Sequence, residues 1–298
     1  MTAHDDLPTV SVVIPVRNDE ASLRNCLAAI ARQTYPSDHV QVLVADSASD
    51  PPVGAQAGYE GIEVVRVERP GSYSARNAAL EQATGDVIAF TDADCIPHEN
   101  WIENGVDSLV AGADRVAGKI EVFVRHPSKA TSVELLELMF AFPQQDFVAI
   151  QGFGATANLL AWRRVVDDVG YFDAGLASGG DVEWGRRATD AGLSLVHDPS
   201  VVVRHPARRT LPALARQRLR TIRGLAELEA TGRLHYDIGL RGFLLPGLRL
   251  SKIWADARFQ RRERVRIAMV AVVEDLVAAY GLARFRFESN GRITSPRR

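Results

Sequence analysis

Cysteine is nearly absent from this chain of 298 residues: only Cys26 and Cys95 occur, far apart in sequence. Two such residues cannot build a disulfide framework, and the expectation is a protein that folds in a reducing, cytoplasmic compartment. Long apolar runs are missing too. The most apolar C-terminal run, Ile267 to Val273, meets Glu274 and Asp275 after seven residues, well short of the roughly 20 that a membrane span needs. The opening stretch MTAHDDLPT has neither the basic start nor the apolar segment of a secretory signal. Repeats and low-complexity segments are also lacking. What remains, 46% hydrophobic and 24% charged residues, is an ordinary globular composition with ample material for a core.

The near-neutral net charge of −2 hides an asymmetry. From Ser200 onward there are 21 Lys and Arg against 8 Asp and Glu, a balance of +13, while the preceding residues carry −15. A basic tail behind an acidic body suits an anionic partner such as a membrane surface, or forms a solvated helical surface that balances the body.

The first two-thirds alternate β-rich runs with helical patterns, as in a sheet built from βαβ units. Val10–Pro15, Gln41–Ala45, Ile62–Val67 and Val87–Thr91 read as strands, and Arg115–Val124 and Ser194–His205 as later ones. Leu23, Leu27 and Ile30 recur at helical spacing behind Asn18 or Asp19 as the cap. Ser74–Ala83, Thr131–Phe142 and Arg163–Val169 look helical, and a helix from about Asp181 is closed by Gly192. Beyond Pro206 the pattern is helical only, including Leu211–Ala230 and Val265–Tyr280. The division therefore falls near Pro206 to Thr210, with residues 8–207 as an α/β domain and 208–298 as a basic helical region.

Ligands of open α/β sheets collect beyond the carboxyl ends of the strands. Three acidic groups fall there: Asp46 and Asp50 after the second strand, Asp92 and Asp94 after VIAFT, and Asp181 after Gly179-Gly180. Alternating carboxylates at a strand end suit a hard divalent cation shared with phosphate oxygens. A lone Asp-x-Asp is weak evidence, because surface turns are rich in Asp. Its place behind five apolar strand residues strengthens it.

The succession VSVVIPVRND, VLVADSASD, GSYSARNAAL, GDVIAFTDADC, GATANLLAWRR, VGYFDAGLASGGDVEWGRR and VVVRHP resembles glycosyltransferase family 2, in family order from about Val10 to Pro206. The resemblance implies the GT-A fold, a Rossmann-like, mixed and mainly parallel sheet flanked by helices, here with a C-terminal helical extension. It implies an inverting transfer of a sugar from a nucleotide diphosphate-sugar to a saccharide or lipid-linked acceptor, in the synthesis of cell-surface polysaccharide or glycolipid. On matching positions, Pro15, Val16 and Arg17 would line the base pocket and Asp46 would contact the base. Arg76 and Asn77 would open a helix toward the phosphates. Asp92 would contact the ribose or share the metal, with Ala93 also at the donor site. Asp94 would be the direct ligand of manganese or magnesium, and His205 would complete the metal site.

Asp181 would be the catalytic base. The family pattern places a Glu-Asp pair here, whereas this chain reads Gly180-Asp181; that departure bears on acceptor contacts. Glu183, two residues on, belongs to another helix face. The stretch Gly152–Asn158 resembles the loop facing donor sugar and acceptor. Trp162 and Trp184 either stack on sugars or belong to the core.

The tail segments RRTLPALARQRLRTIR, GLRGFLLPGLRLSKIW and RFQRRERVRIAMVAVV interleave apolar residues with arginine. They suit peripheral contact with an anionic membrane at the inner face of the cell, or a helical subdomain packed on the body or forming a homodimer. No nucleic-acid-binding motif is present. Two other readings stay open: a nucleotidyltransferase, which shares the sheet and acidic metal sites, and a catalytically silent GT-A binding or scaffold protein, for which the missing Glu leaves room.

Overall fold

The computed structural model describes residues 7–54, 61–233 and 246–293. Within it the chain divides into two compact units: residues up to Val122 with Phe142–Pro206, and Phe123–Ala141 with the described residues from Ala207 onward. One boundary between the units follows Pro206. Thr131–Phe142, however, supplies a helix that clusters with the C-terminal helices rather than with the sheet.

The first unit is built on an eight-stranded sheet. In chain order its strands are β1 (Val10–Val16), β2 (Val40–Ser47), β3 (Ile62–Val67), β4 (Val87–Thr91), β5 (Ile96–Pro97), β6 (Arg115–Phe123), β7 (Asn158–Trp162) and β8 (Leu195–Pro206). The spatial order is β3-β2-β1-β4-β7-β6-β8-β5. Strands β3, β2, β1 and β4 run parallel, and β7 pairs antiparallel with both β4 and β6. Strands β1, β2 and β4 are short, apolar and largely buried, as expected of strands covered on both faces, whereas the edge strand β3 is half-buried to exposed. Their register sets Val16 opposite Asp46, so the ends of β1 and β2 finish side by side.

Helices α1 (Glu20–Ile30), α2 (Ser72–Gln82), α3 (Trp101–Val110), α6 (Arg163–Val169) and α7 (Gly180–Asp190) belong to this unit, along with the short turn α5 (Gln144–Asp146). Asp19 caps α1 by accepting from the Ser22 N–H at 3.2 Å. Leu23, Cys26, Leu27 and Ile30 of α1 join the core with Val12, Ile14, Val44, Ala89 and Leu160. Asn158, at the head of β7, is fully buried and ties three elements together. Its Oδ1 accepts from Trp101 Nε1 at 2.8 Å, and its Nδ2 donates to the carbonyls of Lys119 and Val201 at 2.9 Å each. Asn158 is thus a structural end to the Gly152–Asn158 stretch. Trp184 is likewise core: it is fully buried against Phe90 and Phe172, with its Nε1 donating to the Gly170 carbonyl. Trp162 packs against the core and donates to the Ala113 carbonyl.

The second unit holds α4 (Ser132–Phe140), α8 (Leu211–Ala230), α9 (Pro246–Ala255) and α10 (Arg261–Ile293). Thr131 and Glu134 form a reciprocal capping box at the start of α4. Val133 and Leu136 of α4 pack with Leu214, Ile253, Ile267 and Val270. Half-buried ion pairs cross this unit: Glu137 with Arg208 at 2.7 Å, and Arg249 with Glu274 and Asp275 at 2.6 and 3.0 Å. The run Gly239 to Trp254 lies partly outside the described residues.

Replacing Asn158 by Ala would strand a buried indole N–H and two buried carbonyls, each costing about 1–3 kcal/mol. The Asn158→Ala protein is expected to lose about 3 kcal/mol or more in urea denaturation; a loss under about 1 kcal/mol would contradict this role.

Candidate active site

The parallel strands β2 and β4 deliver their acidic residues to their carboxyl ends, on one side of the sheet. Asp46 ends β2 fully buried. Its Oδ1 accepts from the Ser49 N–H at 2.9 Å, and its Oδ2 accepts from the Val53 N–H at 3.2 Å and from Arg66 Nη1 at 2.7 Å. Burial works against its charge, yet the bonds from Ser49, Val53 and Arg66 outweigh burial and hold the carboxyl below its usual range. In this state Asp46 organises its own loop. Ser49 and Asn18 join that loop to the one after β1, through Asn18 N–H to Ser49 Oγ at 3.0 Å and Asp50 N–H to Asn18 Oδ1 at 2.8 Å. Val16 is buried, Pro15 is half-buried and Arg17 is exposed at the tip, so of these three Arg17 presents its side chain to solvent.

Beyond β4 the chain reads Asp92-Ala93-Asp94-Cys95. Asp92 Oδ1 is held by Arg76 Nη2 of α2, and the Asp92 side chain remains one-third exposed. Arg76 is itself buried, lies 5.9 Å from the Tyr73 ring centroid, and its Nε–H has no acceptor. Its neighbour Asn77 turns elsewhere: the carboxamide donates to the Phe172 carbonyl at 2.8 Å and accepts from the Phe172 N–H at 3.0 Å. Asn77 therefore clamps the segment leading to α7, and of the pair only Arg76 turns to the acidic groups. Ala93 is buried.

Asp94 Oδ2 stands 3.4 Å from His205 Nε2, at the far end of β8. The other ring nitrogen of His205, Nδ1, lies 2.9 Å from the Pro206 carbonyl, and Phe142 packs on the ring at 4.7 Å between centroids. A carbonyl only accepts, so Nδ1 carries a proton and donates to it. That leaves the lone pair of a neutral ring on Nε2, facing a carboxylate oxygen. Two acceptors so placed suit a cation between them, and the carbonyl that orients the ring is the usual second partner of a metal-binding histidine. One atom each of Asp94, Cys95 and His205 lies within 4.8 Å of the others. Cys95 fits less well: burial first, then the charges of Asp92 and Asp94, push its thiol well above the usual range and keep it protonated. Oxygen from Asp94 with nitrogen from His205 is thus a donor set that fits a divalent cation of the manganese type.

Asp181 opens α7 behind Gly179, which is in the left-handed conformation at φ 82°. Its Oδ1 accepts from the Val182 N–H at 3.0 Å and faces the Tyr73 hydroxyl at 3.5 Å. Burial pushes the Asp181 carboxyl up, against the pull of the Arg76 guanidinium and the Val182 N–H. Glu183 pairs instead with Arg187 at 2.9 Å, and Arg187 also donates to the Tyr171 carbonyl, a structural arrangement.

Sequence reasoning passed over Tyr73. Its buried ring stacks near Phe172 at 5.8 Å and fills the space in front of Gly180. A Cβ on Gly180 would come within 2.7 Å of Tyr73 Cζ. The missing side chain at Gly180 and the aromatic three residues before Arg76 are two halves of one fit.

These features define the class: a mixed, mainly parallel α/β sheet of GT-A type with acidic groups gathered beyond its strand ends. Comparison with known proteins is more specific. Residues 11–169 match the family described as Glycosyl transferase family 2. Glycosyltransferase AglE of Haloferax volcanii is 39% identical over 209 residues, covering 68% of each chain. The pre-mycofactocin glycosyltransferase of Mycobacterium tuberculosis is 29% identical over 214 residues, covering 68% of this chain and 43% of that one. Among solved structures, the mannosyltransferase PcManGT from Pyrobaculum calidifontis, in complex with GDP-Man and Mn2+, superposes with a TM-score of 0.56 at 18% identity, over 99% of this chain and 78% of that one. TarS of S. aureus, in complex with UDP, gives 0.51 at 14% identity, over 94% and 92%. The chain belongs to glycosyltransferase family 2 and is a glycosyltransferase.

The fit at Gly180 has a direct test. Gly180→Glu, which restores the family's pair, is expected to destabilise the protein by about 1–3 kcal/mol through overpacking. Much of that cost should disappear in the Gly180→Glu/Tyr73→Ala background, giving a double-mutant coupling above about 0.5 kcal/mol. Additive effects in chemical denaturation would show that the two positions do not share the space.

Proposed function

We propose that the protein carries out an inverting transfer of a sugar from a nucleoside diphosphate-sugar to an acceptor hydroxyl, dependent on a divalent cation held by Asp94 and His205, with Asp92 as a further carboxylate. The observation that carries this reading is the placement of Asp181, pushed up by burial, beside Arg76 and within the field of Asp92. When bound, a divalent ion would supply Lewis-acid stabilisation to the departing diphosphate. Manganese suits the imidazole nitrogen better than magnesium does.

The chain's own residues do the rest. Arg76 directs positive charge at the donor phosphates, and a phosphate oxygen would satisfy its otherwise unmatched Nε–H. Asp181 takes the proton of the acceptor hydroxyl as that oxygen bonds to the anomeric carbon and the carbon–oxygen bond to the diphosphate breaks on the opposite face. The Tyr73 hydroxyl and the Val182 N–H hold Asp181 in position. The Asp46 loop and the tip bearing Arg17 frame the base pocket, with Asp46 acting through that loop. The acceptor is read as a saccharide or lipid-linked sugar. The two buried free thiols accord with a reducing compartment. For the basic C-terminal region the readings are contact with an anionic membrane or a homodimer.

Two variants separate binding from chemistry. Asp94→Asn is expected to weaken manganese-dependent binding of nucleoside diphosphates by about 10-fold or more in calorimetric titration. Asp181→Asn should leave that affinity within about twofold while lowering turnover of a nucleotide-sugar by roughly 10²–10⁴. Equal loss of binding in both would make Asp181 structural. The folded value of Asp181 lies above its unfolded one, so its ionised form destabilises the fold at neutral pH. Asp181→Asn should therefore melt no lower than wild type at pH 7.

The same shift sets the pH dependence. The base works only when deprotonated, so activity falls as pH drops through its titration. The acid limb of kcat/KM should lie above the ordinary carboxylate range near about 4. Removing the Arg76 charge in Arg76→Gln should move that limb to higher pH; a limb that stays put would count against Asp181 as the base.

A further inference from the structure

The long helix α10 is apolar on two opposite sides. One side is the core of the second unit: Ile267, Val270, Ala271 and Ala278 are buried. The other side should be polar in a helix that only packs on its own unit, yet it is not. Val265, Met269, Val272, Leu276, Tyr280 and Phe287 recur at spacings of three, four and seven and are 43–82% exposed. At 1.5 Å per residue this stripe runs about 33 Å. Isolated exposed apolar residues are unremarkable, but a continuous stripe of this length marks a surface that meets something.

The charges beside the stripe say what. The exposed ionisable residues of α10 are Arg261, Arg262, Arg266, Arg284 and Arg286. At 100° per residue Arg262 falls within the stripe and Arg266 and Arg284 along one border of it. The helix's described carboxylates lie off this surface: Glu263 is half-buried, Glu274 and Asp275 are taken by Arg249, and Glu288 by Arg284. Trp254, at the end of α9, is 46% exposed, and its carbonyl accepts from Arg264 in the first turns of α10. Apolar residues with an interfacial aromatic, bordered by arginine and with no carboxylate within the stripe, complement an anionic lipid surface. A second copy of the chain is a poor match. An antiparallel pairing of the two stripes would set Arg266 of one copy toward Arg284 of the other, and the nearest carboxylate, Glu288, is already taken by Arg284 of its own helix. No helix among the described residues is long and apolar enough to cross a membrane, so the helix would lie on the bilayer.

We infer that the outer face of α10, from Val265 to Phe287, is a docking surface for an anionic bilayer. The inference deepens the membrane reading given above by naming its surface, and it does not depend on the donor chemistry.

The test is flotation of the full chain with vesicles of phosphatidylcholine alone or mixed with phosphatidylglycerol, at low and high salt. Thermal melting, nucleotide affinity and oligomeric state are followed alongside. Wild type should float with the mixed vesicles at low salt, and markedly less at high salt or with phosphatidylcholine alone. Arg262→Gln/Arg266→Gln should bind about fivefold more weakly per charge removed. Met269→Ser/Leu276→Ser should bind at least about tenfold more weakly. Both variants should retain melting and nucleotide affinity. The inference is overturned if folded wild type ignores the anionic vesicles, or if both variants bind undiminished. It is also overturned if the Met269→Ser/Leu276→Ser protein fails to fold, which would put the face inside the structure, or if that change dissociates a dimer that vesicles do not touch. Loss of nucleotide affinity in wild type would count against the transfer reading alone.

Discussion

Concentrated negative charge beyond the carboxyl ends of the strands is the constraint on which the site depends. Asp92 and Asp94 follow a strand whose five residues are all buried, and Asp181 opens a helix whose first turn meets them across Arg76. The potential they create registers on groups with no part in the chemistry: after burial itself, the charges of Asp92 and Asp94 are what push both cysteine thiols up. Arg76 offsets part of this charge by holding Asp92 and drawing down Asp181. Like charges gathered at low dielectric are costly unless paired, and His205 turns an imidazole nitrogen toward Asp94 rather than a second carboxylate. The donor set of Asp94 and His205 suits a divalent cation.

The surrounding residues keep that arrangement in place at some cost to stability. Asn77 is spent on the Phe172 backbone, so the segment before α7 is fixed relative to α2 and Asp181 stays beside Tyr73 and Arg76. Asp46 is spent on its own loop, which steadies the tip carrying Arg17. Burial raises the proton affinity of Asp181 at a cost in desolvation. That pattern, rigid carboxylates around one destabilised carboxylate, is the usual relation between an active site and the fold that supports it.

Much of this was legible in the sequence because strong local signals coincide with the elements. The runs VSVVIP, QVLVA, IEVVRV and VIAFT are short, apolar and bounded by turn residues, and all four are strands of the sheet. Asp19 as a cap and Leu211–Ala230 as a helix also follow from local chemistry. Helix α3 and strand β7 are among the elements that lay hidden. Helix α3 carries Gly105 at its centre, which weakens a helical reading; the glycine is needed because a Cβ there would meet Leu160 at 2.5 Å. Strand β7, NLLAW, is a five-residue apolar run of the kind that periodicity cannot assign. In the site, a motif locates a residue but not its hydrogen-bond partners. Asn77 and Asp46 carry the right side chains at the expected places, yet their bonds go to Phe172, Val53 and Arg66, contacts 7 to 95 residues away. The Tyr73–Gly180 fit is of the same kind, an absence at one position explained only by a ring 107 residues earlier.

The most direct measurement is magnetic resonance of manganese bound to the protein together with a nucleoside diphosphate, on material labelled with nitrogen-15 in histidine. The expected spectrum shows one histidine nitrogen coupled to the ion, and that coupling disappears in His205→Ala. Tight manganese binding with no histidine coupling, unchanged by Asp94→Asn, would contradict the site.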